Sequence, residues 1–125
     1  MHSWQKIKEM KIRIKGNSLR YRLTKPEVAR LWTEGFVEER TEFAGKPLIY
    51  AIETANNDKL SADFIDDRIV LNMSKAMIDE LYNTEKVGFD DSTGSVSLLV
   101  EKDFVCIDNT EEDQKDNYPN PHLTC

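Results

Sequence analysis

Cysteine is nearly missing from this chain of 125 residues: there are two, Cys106 and Cys125, and the second is the last residue. Two thiols so placed exclude a disulfide scaffold, and so sparing a use of cysteine suits a reducing compartment. Long apolar runs are missing too. Nothing approaches the ~18–20 residues that a spanning helix needs. The opening Met1-His2-Ser3-Trp4-Gln5-Lys6-Ile7-Lys8 has no apolar stretch ahead of a small-residue cleavage site. The expectation is a soluble, cytoplasmic protein without membrane contact. Histidine is confined to His2 and His122, near the two ends. A histidine-centred acid–base or triad mechanism would therefore need a terminal segment to fold into the site. There is no Gly-rich phosphate loop, Gly-x-Ser-x-Gly, His-Glu-x-x-His or Cys-x-x-Cys. Basic charge is also in deficit: 17 Lys and Arg stand against 23 Asp and Glu, a net charge of −6. Nonspecific nucleic-acid binding is disfavoured unless the cations are gathered on one face.

What is present describes one domain. A chain of this length buries roughly 65–70% of the surface its unfolded form exposes, so it folds without metal or disulfide staples. Its charge is segregated. Between Met10 and Lys25 stand Lys11, Arg13, Lys15, Arg20, Arg22 and Lys25 with no acid, whereas Glu101 to Cys125 carries a net charge of −5. A solvated tail and a solvated polar face explain this simply. Two sharper readings are that the acidic segment covers the basic face, or that this face holds an anionic ligand.

The patterning repeats. Lys11-Ile12-Arg13-Ile14-Lys15 and Leu19-Arg20-Tyr21-Arg22-Leu23 alternate about Gly16-Asn17, which predicts a β-hairpin with one apolar and one basic face. Thr24-Lys25-Pro26-Glu27 reads as a capped helix start with a capping box, Val28, Leu31 and Trp32 form a buried stripe, and Gly35 is the stop. Two strands follow, Phe36 to Phe43 and Leu48 to Thr54. Residues 60–104 repeat the order of residues 10–55 at an offset of 50: Gly16-Asn17 falls on Asp66-Asp67, Tyr21 on Leu71, Leu23 on Met73, Thr24 on Ser74, Val28 on Ile78, Leu31 on Leu81, Trp32 on Tyr82, Val37 on Val87 and Leu48 on Leu98. The predicted fold class is α+β and β-rich: a tandem ββαββ duplication over residues 10–107, with about eight mostly antiparallel strands and two helices. A closed or nearly closed barrel would remove exposed edges, and an open sheet with both helices on one face is the alternative. Strands Leu48–Thr54 and Val96–Phe104, apolar on both faces, should be central. Residues 1–9 read as an N-terminal extension and 108–125 as an acidic, proline-punctuated irregular tail.

The stretches Lys11-Ile12-Arg13-Ile14-Lys15-Gly16-Asn17-Ser18-Leu19-Arg20, Val100-Glu101-Lys102-Asp103-Phe104-Val105-Cys106 and Tyr118-Pro119-Asn120-Pro121 resemble a family of small bacterial proteins, a domain of unknown function, from Met10 to Pro121. The resemblance implies no catalytic residues and no cofactor.

Several residue groups are candidates for chemistry. Cys106, His122 and Cys125 offer thiolate and imidazole ligands of the kind zinc takes, though a fourth ligand is missing and ordinary thiols explain them as well. Lys102 lies close enough in sequence to Cys106 to raise the question of a reactive thiol, but a small core residue is the plainer reading. Glu53 and Asp103 share the 50-residue offset and could meet across a pseudo-twofold axis as an acid–base or metal pair, or else form separate salt bridges. Asp66-Asp67 and Asp90-Asp91 are expected at hairpin turns. The strongest candidate is the basic ladder Lys11, Arg13, Lys15, Arg20 and Arg22, which alternation places on one face of the hairpin. It supports a non-catalytic binding or assembly module facing an acidic ligand, an acidic protein or a second copy of the chain. The alternative is an anion- or phosphate-handling enzyme on a charged barrel, by analogy with triphosphate-tunnel enzymes. Their first-strand Glu-x-Glu-x-Lys pattern is absent, so enzymatic activity is not the favoured reading. The consistent apolar face (Ile12, Ile14, Leu19, Tyr21, Leu23) should turn inward, leaving the ladder outside.

Overall fold

The computed structural model describes residues 10–104. The elements run β1 (Lys11–Lys15), β2 (Ser18–Leu23), α1 (Lys25–Glu34), β3 (Phe36–Glu42), β4 (Pro47–Ala55), β5 (Ser61–Ile65), β6 (Arg68–Ser74), α2 (Lys75–Asn83), β7 (Gly88–Thr93) and β8 (Val96–Lys102). The fold is α+β and β-rich. Neither helix is long and apolar enough to cross a membrane.

Local chemistry accounts for the boundaries. The Glu27 carboxylate turns back to accept from both the Thr24 backbone N–H (2.9 Å) and the Thr24 hydroxyl (2.8 Å), and from the Met10 N–H. Three donors compensate a carboxylate that is buried at the start of α1. Gly35 ends α1 in the left-handed region, φ 89°, and its N–H donates to the Leu31 carbonyl. Ser74 caps α2 by accepting from the Met77 N–H at 3.1 Å. The β5–β6 turn holds Asp66 and Asp67 at φ 52° and 64°, the paired positive angles of a tight two-residue hairpin turn that aspartate tolerates. Asp90 and Asp91, by contrast, are inside β7, and the following turn is Gly94-Ser95. Glycine at φ 62° supplies the turn geometry there, so the aspartates are left as strand residues.

The strands do not close into a barrel. They form two four-stranded sheets, β1-β2-β8-β7 and β3-β4-β6-β5. Within each, two antiparallel hairpins are joined by a parallel central pair, β2 with β8 and β4 with β6. Each sheet therefore takes one hairpin from each half of the chain. Exchanging every element of one half for its counterpart in the other converts one sheet order into the other. Where β5 nears β7 there is no backbone ladder; instead the Leu60 N–H donates to the Asp91 carboxylate at 3.3 Å. β4 and β8 are central, as their two-sided apolar pattern requires, and β2 and β6 are central beside them.

The inner faces share one core. Tyr21, Leu23, Leu98 and Val100 of the first sheet cluster with Ile52, Leu71 and Met73 of the second and with Val28, Leu31, Ile78 and Leu81 of the helices. Tyr21 ties the sheets together: its ring is edge-on to Tyr50, centroids 6.4 Å apart, and its hydroxyl donates to the Ile69 carbonyl at 3.3 Å. The helices meet through Trp32 and Tyr82, stacked at 4.6 Å.

The 50-residue correspondence holds through the helices and then breaks. Leu19 pairs with Leu98 and Ile69 with Tyr50, so the final strands correspond at an offset of 48. Likewise Val37 opposes Ile52 while Phe89 opposes Val100, an offset of 52. Val37 is buried, but Val87 precedes β7 and is 52% exposed. A longer connection after α2 and a shorter β7–β8 turn shift the register while keeping the alternation, because both shifts are even.

Candidate functional site

Alternation in β1 and β2 places Ile12, Leu19, Tyr21 and Leu23 toward the core and the basic ladder on the outer face, whereas Ile14, expected inward with them, is 55% exposed near the end of edge strand β1. Ladder pairing then fixes their neighbours. Lys11 stands opposite Arg22, Arg13 opposite Arg20, and Lys15 opposite Ser18. The parallel pairing extends each row: Arg22 to Glu101, Arg20 to Leu99, Ser18 to Ser97. β7 completes them with Gly88, Asp90 and Ser92. The outer face thus grades from cations on β1 and β2 through hydroxyls to the acids Glu101 and Asp90.

Compensation across this face is incomplete. Glu101 accepts from Arg22 Nε at 2.8 Å and is 3.7 Å from Arg20 Nε. Lys11 Nζ is 3.2 Å from Asp103 Oδ2, a buried oxygen that has no aligned hydrogen bond, so the contact is an ion pair by proximity alone. Arg13 and Lys15 have no acidic partner among the described residues. These two, with Ser18 and Arg20, line a shallow depression of about 230 Å³. The Ser18 hydroxyl at the edge of the depression donates to the Lys15 carbonyl at 2.8 Å. Two like-charged pairs set directly opposite each other, Lys11–Arg22 and Arg13–Arg20, are unfavourable in an isolated sheet.

The carboxylates Glu53 and Asp103 are placed in different surroundings. Glu53 is on the outer face of the second sheet, 2.8 Å from Arg68, which also donates to Glu38 at 3.1 Å. The hydrogen bonds it donates to Glu53 and Glu38 hold the Arg68 guanidinium more firmly protonated than usual. Asp103 follows β8 in the first sheet, its N–H donating to the Leu23 carbonyl. By register the counterpart of Glu53 is Glu101, opposite Arg22 as Glu53 is opposite Asn72. The 50-residue spacing alone points to Asp103 for that place, and the register shift of two moves it to Glu101. Cys106, His122 and Cys125, residues 1–9 and the acidic stretch 108–125 lie outside the described residues. Among the described residues, no cluster of three or more His, Cys, Asp or Glu could hold a metal ion.

Sequence reasoning did not find Ser18, Ser97, Glu101 or Arg68 as parts of these faces. For Ser18, parity with Arg20 was an available signal. Ser97 and Glu101 reach the face only through parallel pairing of strands some eighty residues apart in the chain.

The chain belongs to a family of unknown function, DUF7009, whose model matches residues 10–122. No curated protein and no solved structure matches it.

Proposed function

We propose that this protein is a non-catalytic binding module that takes an anionic group on the outer face of its first sheet, with Arg13, Lys15 and Arg20 as contacts and Ser18 beside them. The observation that carries this reading is a depression bordered by three cations and no acid, two of the cations being uncompensated among the described residues. Guanidinium forks suit phosphate or carboxylate oxygens, and an anion there would relieve the repulsion between Arg13 and Arg20. Binding rather than turnover is the reading supported by a lining that, among the described residues, has no carboxylate or imidazole to move a proton.

The same reading includes an origin by tandem duplication. Its support is the interchangeable sheet topology, the matched caps Thr24 and Ser74, and the matched core pairs Leu31 with Leu81 and Leu23 with Met73. Duplication yields two equivalent outer faces that can diverge while the shared core is kept.

Isothermal titration with tripolyphosphate at low salt tests the site. Binding to the wild type is expected, weakened about tenfold or more in an Arg13→Ser/Lys15→Ser variant, since a hydrogen bond to a charged group is worth ~1.5–3 kcal/mol. Absence of binding, or equal binding by the variant, would sink the proposal.

A further inference from the structure

The outer face of the second sheet has a depression at the place that corresponds to the basic one. It measures about 360 Å³ and is bordered by Glu53, Asp63, Asp66, Arg68 and Asn72, with Ile65 and Val70. The register makes the correspondence residue by residue. Arg13 opposes Arg20 on the β1–β2 hairpin, and Asp63 opposes Val70 on β5–β6; Ser18 follows the first turn where Arg68 follows the second. The signs are opposite: three cations without an acid in one depression, three acids around one cation in the other. Arg68 is already engaged by Glu38 and Glu53, whereas Asp63 and Asp66 have no ion pair among the described residues. Asp63 accepts only a neutral hydrogen bond, from Asn72 at 3.2 Å. Each face therefore exposes charge that nothing described on its own sheet neutralises, and each carries what the other lacks.

From this complementarity we propose that the anionic partner of the basic face is a second copy of this chain, docked through the acidic outer face of its second sheet, with Arg13 and Lys15 of one copy against Asp63 and Asp66 of the other. The inference rests on the basic face being an anion-binding surface and names its occupant. The contact is heterologous: two different faces meet, and the pair keeps one free face of each sign, the acidic on one molecule and the basic on the other. Its area is limited. A four-stranded face with strands ~4.8 Å apart and about five residues long spans roughly 300 Å² per molecule. That is well below the ~800 Å² per partner of a stable complex, so the association is weak, salt-sensitive and concentration-dependent.

Sedimentation velocity on the full chain tests it at protein concentrations up to about 1 mM. Ionic strength is set near 0.01 M, where charges act over ~30 Å, and then near 1 M, where they act over ~3 Å. The wild type is expected to sediment faster with rising concentration at low salt and as a monomer at high salt. Arg13→Asp and Asp63→Lys each spoil one face at an exposed strand position, and each variant alone should stay monomeric at low salt. An equimolar mixture should recover a dimer, because the first variant keeps an intact acidic face and the second an intact basic one. Thermal midpoints of the variants check that both are folded. A wild type monomeric throughout, single variants that associate like the wild type, or a mixture that remains monomeric each overturns the proposal. A third variant neutralises Asp108, Glu111, Glu112, Asp113 and Asp116; association is expected to survive, and its loss would assign the counter-surface to that stretch instead. Tripolyphosphate titration separates the two claims. Arg13-dependent binding without self-association leaves the anion site standing and removes the second copy as its occupant, while absence of both removes both.

Discussion

In the first sheet Arg13 stands beside Arg20 on the outer face; at the corresponding place in the second, Asp63 stands beside Val70. On the inner faces the corresponding residues are alike: Tyr21 and Leu71, Leu23 and Met73, all essentially inaccessible to solvent. The difference separates two kinds of constraint. Inner positions fill one shared core at crystal-like density, so they stay apolar and similar in size. Outer positions carry no such packing requirement, and the two faces bear charge of opposite sign. Like charges set opposite each other, as on the first sheet, work against folding.

The inner half of this comparison can be broken most severely in the helices. Leu31→Ala in α1 and Leu81→Ala in α2 remove equivalent buried side chains, and each should cost about 2–5 kcal/mol in urea unfolding. A large inequality between them would show that the halves of the core are not energetically equivalent.

A smaller effect sharpens an inner position where the halves differ in chemistry. Tyr21→Phe deletes the hydroxyl that donates to Ile69, at a cost of about 1 kcal/mol, whereas its counterpart Leu71 has no such bond to lose. Burial pushes the Tyr21 hydroxyl above its ordinary value of 10.0. The native state thus holds the phenol neutral while the unfolded chain ionises near 10. Stability from this group is complete below pH 10 and is lost as pH rises from there toward the raised native value. Chemical unfolding between pH 9 and about 11.5 should show the wild type losing more stability than Tyr21→Phe. Parallel pH curves would show that Tyr21 is not the group responsible.

The smallest effect has the opposite sign. Arg13→Thr replaces a like-charged neighbour of Arg20 with a good strand former and should stabilise the protein by about 0.2–1 kcal/mol while weakening tripolyphosphate binding. The comparable change on the second sheet, Asp63→Thr, removes no like-charged cross-strand neighbour, since Val70 is opposite, and should leave stability nearly unchanged. If Arg13→Thr destabilises, the basic ladder contributes to the fold and is not held for binding.

The five ladder residues were legible because strand alternation is local: parity alone puts Lys11, Arg13, Lys15, Arg20 and Arg22 on one side. Helix boundaries were legible for the same reason, since Thr24, Pro26, Glu27, Gly35 and Ser74 act on backbone groups within a turn. The acidic face was not legible. It is made by Glu38, Glu53, Asp63 and Arg68, which come from four strands and have no common spacing. The Glu53–Asp103 correspondence also could not be settled from spacing. An even shift of register preserves the apolar alternation and so leaves no mark in the sequence.

By itself, then, the sequence determined the number and type of elements, the helix caps, the turns at Gly16-Asn17 and Asp66-Asp67 but not the one after β7, the side of β2 that is buried, and where the cations gather. The tertiary structure alone decided that each sheet takes a hairpin from each half, that the central pairs are parallel, that the seam between β5 and β7 stays open, and that faces of opposite sign result. Alternation and capping are set by interactions within a few residues. Pairing partners such as Arg22 and Glu101 are chosen by competition among long-range contacts whose loop-closure cost varies only slowly with separation.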